Sequence, residues 1–471
     1  MSRKLYKLSL LFLAIVLISS CKREEVNNYN VDVDKVEIKQ LSPEMLKVRD
    51  YVPANAVIAH RGSTFWTPEE TEAAYRWGRE IGADYLEADL QVSKDGVVLA
   101  LHDDNLKRTT NIENVYGENV PATRKAYYLG LGYAEADADK MVEADKKNFI
   151  PNLPSYYTYE ELMKLDAGTW FNQTSIEQAR PQYAAQHQYI STLEDLVMYA
   201  RGKRLKRDGN GERVFTKAKT GKKVKSLSGE ADLVQYTFAY ENDAQDSGNR
   251  PGIYIEFKEP WLNPAGFEQM VFDELSRLDM NIITKPAPAN EQFYVNGKVN
   301  VGNTNGKVIL QTFSLQSLGK IKEVFKGQVP MCFLLWKGNG ATDISDDSPE
   351  GYASFINLGI DNLAHIIGPS ITGAPNNYPE LLTPWQAHLI RKAKMAIHPY
   401  SFDTQDQMKK YFGDYNYGNA IADLTKPPYA DAMFTNRSEM TLQYYIDKGV
   451  RNANAPKAVK NPNQLLKELG Y

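Results

Sequence analysis

Three apolar runs early in the chain share one habit: each ends in, or alternates with, charged and imidazole side chains. They are Val57-Ile58-Ala59-His60-Arg61-Gly62, Tyr85-Leu86-Glu87-Ala88-Asp89-Leu90 and Val98-Leu99-Ala100-Leu101-His102-Asp103. Short runs rich in β-branched and aromatic residues predict buried strands, here strands that deliver chemistry at one end. Further runs of the same kind follow at Gly252 to Lys258, Val308 to Ser314, Met331 to Leu335, Ile360 to Ile367, Ala396 to Tyr400 and Ala432 to Asn436. Helical segments lie among them at Phe267 to Leu278, Pro384 to Lys394 and Glu439 to Lys448. Strand alternating with helix is the pattern of a parallel α/β fold.

A period of two places Glu87 and Asp89 on one face of their strand, and Glu256 and Lys258 on one face of theirs. Two carboxylates in one small volume repel, and a cation or a shared proton is the usual remedy. Elsewhere the pattern predicts a helix cap at Thr192, a minor strand at Met280 to Thr284, and a hairpin turning at Asn296-Gly297. Leu106 to Leu153 is long, aromatic and weakly periodic, which marks an insertion near the candidate site. Between Arg201 and Lys225 stand eleven basic residues against two acidic ones, with turns expected at Asp208-Gly209-Asn210-Gly211 and Thr220-Gly221. Such a run reads as a solvated hairpin or as a basic arm that attracts phosphate groups or anionic lipid.

The N-terminus changes the picture of where the chain works. Arg3, Lys4 and Lys7 precede an apolar run from Leu8 to Ile18, then Ser19, Ser20 and Cys21. Spanning a bilayer takes about 20 apolar residues, so this run reads as a secretory signal. Ile18-Ser19-Ser20-Cys21 is similar to a bacterial lipoprotein cleavage box, which makes Cys21 the expected lipid anchor. Residues 1–20 are then the signal, 21–50 a polar tether, and 51–471 the folded domain, with insertions near 106–153 and 201–250. The only other cysteine, Cys332, sits in an apolar run, so no intrachain disulfide is expected in the mature chain. Hydrophobic residues at 42% and charged residues at 24% are ordinary globular values, and a formal charge of −4 argues against general nucleic-acid binding.

The ordered set His60-Arg61-Gly62, Pro68-Glu69-Glu70-Thr71, Gly82 to Asp89, Ser93-Lys94-Asp95-Gly96, His102-Asp103 and Arg108-Thr109-Thr110 resembles the glycerophosphodiester phosphodiesterase family, in particular its longer exported bacterial members. Glu70 stands where that family usually has Asn, and Asn436-Arg437-Ser438 where the longer members usually carry Asp-x-Pro. The resemblance implies a (β/α)8 TIM-type barrel with insertions in its strand–helix loops. Nine strand candidates are then one too many, and Ile360 to Ile367 is the expected surplus.

The resemblance also implies roles. Glu87, Asp89 and Glu256 would hold one divalent cation, and an all-oxygen donor set suits Ca²⁺ or Mg²⁺. His60 and His102 would act as acid and base, Arg61 and Lys258 would bind the phosphate, and Glu69 would orient Arg61 or reach the metal's outer shell. Phe171, Trp170 and the aromatic insertion are candidates to wall the pocket, with core packing the alternative. The implied reaction converts small glycerophosphodiesters to sn-glycerol 3-phosphate and an alcohol, the substrate's own 2-hydroxyl attacking to give a cyclic phosphate that water opens. A phosphodiesterase acting on intact phospholipid and a noncatalytic barrel lipoprotein are the alternatives. The expected location is exported and lipid-anchored to a bacterial membrane through Cys21.

Overall fold

The structure is a computed structural model, and it describes residues 33–116, 121–148, 150–337, 348–414 and 428–471. The signal run and Cys21 lie outside the described residues. The chain divides into two compact units, 1–36 and 37–471. The described part of the first is a 3-10 turn at Val33–Lys35.

The second unit is built on eight parallel strands, numbered here around the barrel. They are β1 (Ala56–Ala59), β2 (Tyr85–Val92), β3 (Gly252–Phe257), β4 (Val308–Thr312), β5 (Met331–Leu335), β6 (Ile366–Pro369), β7 (Ala396–Ile397) and β8 (Ala432–Thr435). Each pairs in parallel with the next from β1 to β7, and β8 pairs with β1 through Ala56↔Ala432 to Ala59↔Thr435. The ring closes between β7 and β8. There the Asp431 N–H donates to the Ile397 carbonyl at 2.8 Å, the Phe402 N–H to Phe434 at 2.7 Å and the Asn436 N–H to Phe402 at 3.0 Å. A helix follows every strand, among them Glu72–Ile81 after β1, Leu193–Ala200 after β2, Phe267–Arg277 after β3 and Ser438–Asp447 after β8. Thr192 caps its helix as expected, accepting from the Asp195 N–H while the Asp195 side chain accepts from the Thr192 N–H.

Alternation along the strands sets what the barrel interior contains. Ile58, Tyr85, Tyr254, Ile309, Cys332, Leu334 and Phe434 fill its lower and middle layers with apolar side chains. Two residues further along each strand, the same inward-facing column reaches the C-terminal mouth. Ile58 leads to His60, Tyr85 to Glu87 and Asp89, Tyr254 to Glu256 and Phe434 to Asn436. The apolar column packs the core, and Glu87, Asp89 and Glu256 stand where the barrel opens, the end that carries the chemistry in barrels of this type.

Several expectations need correcting. The surplus strand is Val98–Ala100, which returns antiparallel along β2 after the turn at Ser93 to Gly96 and lies off the barrel path. Ile360 to Ile367 straddles two elements: it holds the end of the helix Pro349–Asp361 and, after a reversal at Leu363 (φ 61°), the start of β6. Apolar content alone does not separate a helix end from a buried strand. Met280 to Thr284 is a turn rather than a strand. The basic run forms the hairpin Phe215–Ser226 with Gly229–Phe238, but Thr220-Gly221 is an irregularity within its first strand, and the reversal comes at Leu227-Ser228. Lys219 and Lys223 both pair with Asp232 across it. Part of the supposed tether belongs to the barrel unit: Pro43–Arg49 is a helix capped by Ser42, and the Leu41 N–H donates to Ala393. The insertion at Leu106 to Leu153 is helical, with Pro121–Gly130 and Glu135–Asn148 meeting through Tyr128, Ala138 and Val142.

Candidate active site

The turn after β1 brings strained backbone to the mouth of the barrel. Arg61 (φ 49°), Gly62 (φ 84°), Ser63 (φ 83°) and Glu70 (φ 57°) all lie in the left-handed region. A Cβ on Gly62 would meet the Ala74 Cβ at 2.5 Å, so only glycine fits there. Each non-glycine residue so placed costs on the order of 1 kcal/mol or more, and surrounding contacts must hold it. The Arg61 N–H donates to Glu87 Oε2 at 2.8 Å, and the Glu70 N–H donates to the Arg61 carbonyl at 3.0 Å.

Glu87, Asp89 and Glu256 converge as their strand positions require, since Asp89 and Glu256 are register partners on β2 and β3. Ligand oxygens of the three lie within 4.8 Å of one another, and all three residues are buried. Glu87 also accepts from Gln311 Nε2 at 2.9 Å. Asp89 Oδ2 is buried without a hydrogen bond, 3.3 Å from Arg61 Nε. Burial and the neighbouring Asp89 charge push Glu87 well above the carboxylate range, while burial raises Glu256 to about 8 despite the opposing charge of Lys258. Burial also opposes charge on Asp89, but the positive charges of His102, Lys258 and Arg61 outweigh it and hold its carboxyl low. Two raised carboxyls beside an unsatisfied carboxylate oxygen fit a hard cation, which would supply the missing positive charge.

The two imidazoles are oriented by different partners. Asp403 accepts from Asn436 Nδ2 at 2.8 Å, which turns Asn436 Oδ1 toward His60 Nδ1 at 2.7 Å. His60 therefore donates from Nδ1 and keeps Nε2 free of a proton. Desolvation and the Arg61 charge push His60 down to about 3. His102 sits not on a barrel strand but in the loop after Val98–Ala100, a correction to its expected strand-end position. Its Nδ1 faces Asp103 Oδ1 at 2.6 Å, and Lys258 Nζ lies 3.0 Å from its Nε2. Arg108 bridges Asp103 and Glu69, and Glu69 also lies 3.5 Å from Arg61 Nη1.

His60, Arg61, Glu87, Asp89, His102, Glu256 and Lys258 all line one cavity of about 580 Å³. Glu69 stands behind it. Trp170 and Phe171 do not line it: Phe171 is core, and Trp170 stacks on Arg108 at 5.5 Å. Sequence reading missed Asn436, Asp103, Arg108 and Gln311. Asp103 and Arg108 lie in the motifs that carry the resemblance, and Asn436 stands at a position where the family pattern departs, so all three had a local signal, whereas Gln311 had none. Glu70 performs a task open to an amide oxygen, accepting the Asp89 N–H at 2.7 Å through Oε1, and burial pushes its own carboxyl well up.

The Glycerophosphoryl diester phosphodiesterase family matches the chain over residues 60–258. A glycerophosphodiester phosphodiesterase of Bacillus subtilis (strain 168) is 31% identical over 355 residues, 75% of this chain and 78% of that protein. A glycerophosphoinositol inositolphosphodiesterase of Mus musculus is 30% identical over 165 residues, 34% of this chain and 25% of that protein. Among solved structures, a phosphodiesterase of Oleispira antarctica in complex with the product sn-glycerol-3-phosphate is 14% identical with a TM-score of 0.44, covering 84% of this chain and 97% of that one.

Proposed function

Because the chain belongs to the glycerophosphodiester phosphodiesterase family, we propose that its barrel hydrolyses small glycerophosphodiesters to sn-glycerol 3-phosphate and an alcohol, using one divalent cation and two histidines. The observation that carries this reading is one cavity lined by three convergent carboxylates, two imidazoles, Arg61 and Lys258. Glu87, Asp89 and Glu256 are the residues that would hold the cation, Ca²⁺ or Mg²⁺, which supplies Lewis-acid stabilisation of phosphoryl charge.

The chain's own residues do the rest. Arg61 presents a guanidinium to the nonbridging oxygens, and Lys258 adds an ammonium beside Glu256 and His102. One imidazole takes the proton of the attacking hydroxyl, and the other gives a proton to the leaving oxygen. Asn436 and Asp103 hold the two rings by their Nδ1 atoms, so each can act through Nε2. The N-terminal pattern supports export and lipid attachment through Cys21.

The test is turnover of glycerophosphocholine and of a whole phospholipid, each with chelator and with Ca²⁺ or Mg²⁺ restored. Metal-dependent release of glycerol 3-phosphate from the small diester supports the proposal. Turnover of the intact lipid alone would replace it with a phospholipase, and turnover of neither with a binding role.

A further inference from the structure

The cavity has two unlike halves. Its charged residues come from the ends of β1, β2 and β3 and the loops that follow. The half supplied by the ends of β4 to β7 is neutral, with Gln311, Phe313, Leu334, Trp336, Tyr378 and Tyr400 on its surface. Its rings touch in a row. Phe313 meets Tyr400 edge-on at 5.7 Å, Tyr400 lies 6.2 Å from Tyr378, and Tyr378 meets Trp336 edge-on at 5.4 Å. Lys258 stands 5.9 Å from the Phe313 ring, so the inner end of the row already faces a cation. Among the described residues no lysine or arginine stands over Trp336, Tyr378 or the rim residue Trp261, which is 56% exposed. The Tyr400 hydroxyl is committed to the Leu335 carbonyl at 2.5 Å.

An aromatic face attracts cations through its quadrupole, and indole does so best. Glu259 lines the same cavity, and its carboxylate makes no hydrogen bond or salt bridge among the described residues. This side offers a polyol the Gln311 amide, the Ser314 and Ser401 hydroxyls and the Tyr378 hydroxyl, whereas its ring faces suit a trimethylammonium group, which needs no hydrogen bond. We propose that the aromatic wall receives the alcohol portion of the diester and that Trp336, Tyr378 and Glu259 select a quaternary ammonium alcohol. This assignment rests on the hydrolysis reading above.

The experiment compares kcat/KM of the full chain for glycerophosphocholine and for its neutral carbon isostere, the 3,3-dimethylbutyl diester, which has the same shape without the charge. The expected preference for the choline diester is about fivefold to thirtyfold, and Trp336→Leu or Tyr378→Leu should bring the ratio toward one. Glu259→Gln should lower it partway and weaken its dependence on salt. A wild-type ratio near one overturns the proposal, as does a ratio that survives both aromatic substitutions. Loss of both substrates in equal proportion also overturns it, because the wall would then serve the glycerol end that the two share. Thermal melts identify any variant that fails to fold, and the wild-type ratio needs no variant. If neither diester is turned over, the hydrolysis reading fails instead, and tryptophan quenching by tetramethylammonium tests the wall directly: no saturable quenching overturns it.

Discussion

The two halves of the cavity are held in place by different means. On the charged side, several groups are set by directed hydrogen bonds: the Arg61 N–H to Glu87, the Asp89 N–H to Glu70, His60 Nδ1 to Asn436 and His102 Nδ1 to Asp103. Left-handed backbone at Arg61 and Glu70 is tolerated there because those bonds hold it. Around β4 to β7, rings pack against one another: Phe313, Tyr400, Tyr378 and Trp336 meet in a row, and the Tyr400 hydroxyl also donates to the Leu335 carbonyl. The contrast has an electrostatic consequence. A wall without lysine, arginine, aspartate or glutamate among its described residues sets no formal charge against the opposite side, where charge interactions are strengthened by burial. On the proposed reading, the charged half would carry the reaction and the neutral half would shape the fit.

The largest effect should come from breaking the charged half at its centre. Exhaustive chelation, or Asp89→Asn, should lower turnover by roughly 1000-fold or more, the scale of losing several kcal/mol of charge stabilisation, and Ca²⁺ or Mg²⁺ should restore the chelated wild type. Full activity after chelation would remove the cation from the three-carboxylate cluster. Next, His60→Ala and His102→Ala should each reduce kcat by at least ~100-fold without loss of fold. A variant with normal turnover would take its histidine out of the chemistry.

On the proposed reading Asn436 would act through His60, which it contacts at 2.7 Å, so its substitution should cost less. Asn436→Ala should lower kcat about tenfold, the range for losing an orienting partner. Asn436→Asp places a carboxylate on Nδ1, favours the charged imidazole, and should move the acidic limb of the pH profile upward. An unmoved profile in the Asp variant would limit Asn436 to packing.

A smaller effect concerns stability of the metal-free protein. Glu256 is raised to about 8 against an ordinary value of 4.5, so the folded state takes up a proton between those values. The stability this gives is fully present below 4.5 and lost as pH rises through 8. Melting temperature in chelator should therefore fall across that window, less so in Glu256→Gln and less so with Ca²⁺ or Mg²⁺ added. An identical slope in wild type and Glu256→Gln would assign the pH dependence elsewhere. The smallest effect on either half is expected from Cys21→Ala, which should release the protein from the membrane fraction and leave turnover as it was. Continued sedimentation after a high-salt wash would contradict lipid anchoring.

Much of the site was legible because it is local. Glu87 with Asp89, and Glu256 with Lys258, share strand faces through the two-residue period, and that period survives any tertiary arrangement. The helix cap at Thr192 and the hairpin at Asn296-Gly297 were equally local, each depending on a few adjacent dihedrals. Reading failed where an apolar run could serve two elements. Val98–Ala100 has strand composition, yet it pairs antiparallel outside the barrel, and Ile360 to Ile367 contains both a helix end and a strand start.

By itself, then, the sequence determined which strand ends hold Glu87, Asp89 and Glu256, together with the alternating rhythm of a parallel barrel. Only the tertiary structure decided the partners. Asn436 reaches His60 across 376 residues, Gln311 reaches Glu87 across 224, and Lys258 reaches His102 across 156. The neutral wall likewise joins rings contributed by separate loops and strands. None of these pairings has a sequence period, because each depends on closing a ring of eight strands so that distant C-terminal ends share one mouth.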